Sequence, residues 1–83
     1  MTPDLEIDAT GLLCPLPVLR ARKALAALPP GALLRLLADD PAASIDLPHF
    51  CAGAGHALVA EDDLGGGRRA YLLRRGAGPP PTP

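Results

Sequence analysis

The 83-residue chain reads as a two-layer α/β sandwich in the order βαβαββ, with two helices on one face of a mixed four-stranded sheet. Three observations predict this. Short apolar segments are each followed by a proline-marked helix start, at Cys14-Pro15 and at Asp40-Pro41. Helical periodicity follows each start, so the first three strands are joined by crossovers and run parallel. The last two apolar segments flank Gly65-Gly66-Gly67, which predicts an antiparallel pair.

Taken in order, Leu5, Ile7 and Ala9 alternate with Glu6 and Asp8 as in a half-buried strand, and Thr10-Gly11 ends it. From Pro15 to about Leu28, the residues Val18, Ala21, Leu25 and Leu28 recur at helical spacing. Arg20 and Lys23 fall on the opposite face, with Arg22 beside them. Pro29-Pro30-Gly31 stops this helix, and Ala32–Ala38, apolar except for Arg35, predicts an interior strand. Asp40 is a natural N-cap with Pro41 as the first helical residue. Pro48 is expected to divide the second helix, leaving a short turn near Ala42–Asp46 and a helix from Pro48 to about Gly55. Ala57–Asp62 and Arg68–Arg74 complete the sheet. The domain is expected to span residues 4–75, and 76–83 form a Gly/Pro tail without apolar periodicity, expected to be disordered.

The composition excludes several function classes. The core is aliphatic, with one Phe, one Tyr and no Trp. A net charge of −1 gives no overall attraction to nucleic acid or anionic membrane. No apolar run approaches the roughly 20 residues of a membrane span. Met1-Thr2-Pro3-Asp4-Leu5-Glu6 lacks the basic start of a signal peptide, so a cytoplasmic setting with reduced thiols is expected. His49, Cys51 and His56 match no compact zinc spacing, and neither a metal nor a cofactor is expected.

Cys14 is the residue best placed for chemistry. Pro15 suits a first helical position, where its missing N–H costs no bond, and its ring biases Cys14 toward the extended conformation of an N-cap. Pro17 also lies within the first turn. The free amides of Leu16 and Val18 are then expected to face the sulfur, and the positive end of the helix to lower the thiol's pKa. Cys51, in the second helix, is expected to face the core.

Cys14-Pro15-Leu16-Pro17, Arg22-Lys23, Pro30-Gly31, Asp39-Asp40-Pro41-Ala42, Asp46-Leu47-Pro48, Phe50-Cys51 and Tyr71-Leu72-Leu73-Arg74 together resemble the TusA/SirA family of sulfur carriers, from about Leu5 to Arg75. The resemblance implies a sulfurtransferase in which Cys14 accepts a persulfide from a cysteine desulfurase or rhodanese-like donor. Cys14 would then pass it to a downstream acceptor protein. In the best-known relay the sulfur reaches a tRNA wobble uridine; others serve molybdenum-cofactor synthesis, sulfur oxidation or selenium-linked functions. It also implies a fold resembling the C-terminal domain of translation initiation factor three. Position 16, often acidic in relatives, is leucine here.

Leu16 and Leu19, with Arg20, Arg22 and Asp39, are the expected docking residues for these partners. The chain is expected to act as a monomer, without direct contact to nucleic acid. The competing reading is a thiol-dependent regulatory or adaptor module that binds a protein partner and moves no sulfur.

Overall fold

The computed structural model describes residues 2–77. Its elements are β1 (Leu5–Asp8), α1 (Leu16–Ala27), β2 (Leu33–Ala38), α2 (Ala43–Ala54), β3 (Ala57–Gly65) and β4 (Arg68–Arg74). The sheet order is β1-β2-β4-β3. β1 pairs parallel with β2, and β4 runs antiparallel between β2 and β3. The predicted βαβαββ sandwich is therefore the observed fold.

Both helices cover one face of the sheet. Leu34, Leu36 and Ala38 of β2 and Tyr71 and Leu73 of β4 meet Ala21, Ala24 and Leu25 of α1 and Ala43, Leu47 and Cys51 of α2. The other face of β2 carries Leu33, Arg35 and Leu37, which are only partly covered. The strand is interior in sheet order but sandwiched on one side alone, so its nearly unbroken apolar run overstates its burial. At its outer edge Arg35 pairs with Glu6 of β1 at 3.1 Å.

The second helix corrects the sequence reading. α2 is continuous from Ala43 to Ala54, with Pro48 inside it. Pro48 removes the bond to the Ser44 carbonyl, which ordinarily breaks a helix. Here Ala43, Leu47 and Cys51 recur every fourth residue and are buried against the sheet. Tertiary packing of that stripe outweighs the local penalty. β3 also extends beyond the expected Asp62, because the reversal uses Gly66 and Gly67 alone, at φ 64° and 82°. Two positive φ values suit the tight turn that matches strand twist.

The end of β4 ties the two layers together. Arg75 is 5% exposed and donates through Nε to the carbonyl of Leu25 at 3.0 Å, closing the carboxyl end of α1. Gly76 N–H donates to His56 Nδ1 at 2.9 Å. Desolvation, reinforced by the Arg75 charge, holds the His56 pKa below its ordinary value, which suits the acceptor role of Nδ1. The expected tail begins within this lock: Gly76 is fixed, whereas residues 78–83 lie outside the described residues.

A Cβ on Gly76 would sit 2.0 Å from the Gly55 carbonyl oxygen, whereas one on Gly53 meets nothing within 4 Å. Gly76→Ala should therefore cost roughly 1–3 kcal/mol through forced backbone shifts. Gly53→Ala, inside α2, should gain about 0.5–1 kcal/mol. Urea unfolding of the two variants checks this; equal midpoints would refute the close approach.

Candidate functional site

Cys14 lies at the crossover from β1 to α1, held by carboxylates from the next crossover. Asp39 Oδ1 accepts the Gly11 N–H at 2.9 Å, and Asp40 Oδ2 accepts the Cys14 N–H. Asp40 Oδ1 meanwhile accepts the Ala42 N–H at 3.1 Å, while its own carbonyl accepts from Ala43 at 3.0 Å. Asp40 thus ties the turn that precedes α2, but it is not the predicted N-cap: the helix opens at Ala43, with Ala42 in the cap position and no side-chain capping bond. Being adjacent at a strand end, Asp39 and Asp40 would ordinarily be expected to diverge. Instead both reach back to one loop, and they fix where Cys14 sits.

The start of α1 is displaced by one residue from its prediction. Leu16 is the first helical residue, Pro15 takes the cap position, and the Cys14–Pro15 peptide is cis. Pro17 is buried beneath the first turn. The Leu16 N–H is engaged by the Leu13 carbonyl at 2.8 Å, so it is not available to the sulfur.

The sulfur faces α2. Cys14 is exposed, and its Sγ donates to Asp46 Oδ2 at 3.0 Å. This hydrogen bond is the main reason the Cys14 pKa stands above its ordinary value; desolvation and the charges of Asp46 and Asp40 add to it. The expected lowering by the helix terminus is therefore corrected. A macrodipole acts diffusely over the first turn. A carboxylate in direct contact is a full charge at bonding distance and wins. Asp46 lies in the first turn of α2, where a negative charge is favoured.

Cys14, Pro15 and Val18 form one wall of a groove of about 270 Å³, and Asp46, His49 and Phe50 form the other. Next in sequence to its lining residues are exposed apolar side chains: Leu13 at 71%, Ile45 at 73%, and Leu16 and Leu19 near half. Of the predicted docking residues, Leu16, Leu19 and Arg20 are exposed and Arg22 is half-buried, whereas Asp39 is engaged with the Gly11 amide. The sequence places none of Asp46, Leu13 and Ile45 in the site and offers His49 only as a metal ligand, with Cys51 and His56. The spacing of Asp46, His49 and Phe50 at i, i+3 and i+4 would have placed them together on one helical face, had α2 been read as unbroken.

His49, Cys51 and His56 do not converge. Cys51 is buried, with its pKa raised to about 11 by burial, and His56 is engaged with Gly76. Both cysteines are free. A second concavity lies on the open sheet face between Pro3, Arg35, Ala60, Asp62, Ala70 and Leu72. It holds no nucleophile, and Arg35 is bonded to Glu6.

Asp40→Ala should destabilise the fold by about 1–3 kcal/mol, since it removes the bond that ties the turn before α2 and leaves the Cys14 amide without its acceptor. Asp62→Ala, on the far face, should stay within about 0.5 kcal/mol of the parent. Denaturant titration separates the two; equal effects would remove Asp40 from its bridging role.

Comparison with known proteins shows the family. The family model described as Sulfurtransferase TusA matches residues 5–75. The crystal structure of a SirA-like protein from Desulfitobacterium hafniense superimposes with a TM-score of 0.77 at 32% sequence identity, covering 87% of this chain and 97% of that one. The chain therefore belongs to the TusA family of sulfurtransferases, small sulfur-carrier proteins.

Proposed function

We propose that this chain carries sulfur as a persulfide on Cys14, received from a cysteine desulfurase or rhodanese-like donor and passed to an acceptor protein. The observation that carries the reading is an exposed thiol, fixed by Asp40 at a helix start and set in an open groove with an apolar rim. A carrier thiol must attack a sulfur on one protein and later be attacked by another. It therefore needs access from outside more than it needs an enclosed pocket.

The rim suits transient partners. Leu13, Leu16, Leu19 and Ile45 offer apolar contact beside the sulfur, and Arg20 and Arg22 add positive charge along α1. Asp39 contributes at the edge, in addition to its bond to Gly11. Among the described residues no helix is long and apolar enough to cross a membrane. The destination of the sulfur, whether tRNA thiolation or another trafficking route, follows from the acceptor that docks here.

A second reading is favoured by one observation, the carboxylate that holds Cys14 as a thiol. On that reading the chain is an adaptor that binds its partner through the same rim and moves no sulfur.

Intact-protein mass spectrometry after incubation with a cysteine desulfurase, its pyridoxal phosphate and cysteine separates the two. The carrier reading expects the gain of one sulfur, reversed by reductant, absent in Cys14→Ser and retained in Cys51→Ser. The Cys51 variant should lose some stability, because a hydroxyl replaces a buried thiol. No gain from desulfurase or rhodanese donors would favour the adaptor; loss of loading in a folded Cys51→Ser would overturn the core assignment of Cys51.

A further inference from the structure

Asp46 touches the reactive sulfur, and the sulfur-carrier role by itself gives it no task. We propose that Asp46 is the proton partner of Cys14: it holds the Sγ proton on the resting thiol and keeps the loaded sulfur protonated, in the form that is handed on. The proposal rests on the carrier reading above.

The geometry is specific. Asp46 Oδ2 accepts the Sγ–H at 3.0 Å, and the first turn of α2 stabilises its negative charge. From α2, Asp46 and His49 face the sulfur; from the loop after β2, Asp40 does, with one oxygen committed to the Cys14 amide and the other to Ala42. The α1 side contributes only Pro15 and Val18. Asp46 is thus the acceptor already bonded to the thiol, in a groove with room for one more sulfur against Phe50.

In loading, Sγ gives up its proton and the freed Sγ electron pair forms a bond to the donor's terminal sulfur. The donor's own S–S bond breaks, and its electron pair leaves on the donor thiolate, which takes up the proton. A thiol and a persulfide exchange roles, so no outside oxidant or reductant enters. The new terminal sulfur then lies beside the same carboxylate. A negative neighbour disfavours the persulfide anion and favours the neutral –S–SH form. A nucleophile attacks the neutral form more readily, because the attacking pair meets no charge on the terminal sulfur. The acceptor's thiol forms a bond to the terminal sulfur and gives up its proton, the Cys14–sulfur bond breaks with its pair staying on Sγ, and Sγ takes up the acceptor's proton.

Removing the carboxylate should therefore act in opposite directions on the two states. The free thiol becomes more ionised and reacts faster with a small electrophile; the persulfide becomes more anionic and releases its sulfur more slowly. Loss of mere structural support would slow or hasten both through general exposure and leave the pH dependence in place.

The test uses the 83-residue chain with Asp46 retained, with Asp46→Asn and with Asp46→Glu, each with Cys51→Ser so that one thiol is read. Iodoacetamide alkylation from pH 5 to 10 reports the free thiol. Below its pKa, each unit by which a thiol's pKa falls raises its reaction rate about threefold, after allowing for reduced nucleophilicity. Asp46→Asn should move the profile to lower pH and raise the rate at pH 7, by about threefold for each unit of the move. Loading with inorganic polysulfide, desalting and timing thiocyanate release by cyanide reports the loaded form, which Asp46→Asn should slow. Asp46→Glu should restore both toward the chain with Asp46. Asp46→Ser provides the same readouts if the asparagine variant fails to fold. Superimposed alkylation profiles, or cyanide release that is unchanged or faster, would overturn the proposal. A chain with Asp46 that retains no sulfur would instead overturn the carrier reading and the loading step with it, while the alkylation profiles still decide whether Asp46 holds the thiol.

Discussion

Asp40 places one carboxylate oxygen on each of two helix starts. Oδ1 ties the turn that leads into α2, and Oδ2 binds the amide of Cys14 just before α1. Two crossovers distant in sequence are thereby fastened to each other at the same end of the sheet. Asp39 adds a third tie, to Gly11. Open α/β sheets gather their functional groups beyond the carboxyl ends of parallel strands, and this junction gives that tendency a definite geometry. The sulfur faces Asp46 because the loop that carries it is tied to the loop that launches α2.

This arrangement decides between two electrostatic influences on the thiol. A cysteine near a helix start is commonly read as activated. Here the contact is with a carboxylate, and the thiol is held protonated. For a nucleophile that works alone this would be a disadvantage. A carrier spends its life between partners, with its sulfur exposed, and a restrained thiol is less open to attack by whatever it meets. On the proposed reading, a partner docking on the exposed Leu13, Leu16, Leu19 and Ile45 would lie beside the groove. Docking there would exclude water and change the balance between Asp46 and the sulfur.

Much of the fold was legible because its signals were local. Alternation at Leu5–Ala9, helical spacing from Val18 to Leu28, and the glycines at the β3–β4 turn each mark an element by backbone or side-chain rules acting over a few residues. Pro48 misled for the same reason. Its local penalty is real, but burial of Ala43, Leu47 and Cys51 is a tertiary term that no short window contains. That single misreading hid the site's second half, since a broken α2 scatters Asp46, His49 and Phe50. Cys14 was identifiable from its proline-flanked junction, whereas the sign of its pKa shift depended on a partner 32 residues away. Gly76 was read as tail for want of any pattern, yet its contact with Gly55 exists only once α2 has packed.

Carboxylates of the second crossover hold the Cys14 loop in place. Amide hydrogen exchange, resolved residue by residue by NMR, tests it most directly. Cys14 and Gly11 lie in an exposed loop, and without acceptors their amides would exchange at close to unstructured rates. The account predicts that both are protected, and that Asp40→Ala releases Cys14 while β2 and β4 stay protected. Unprotected Cys14 and Gly11 amides in the folded wild type would contradict it.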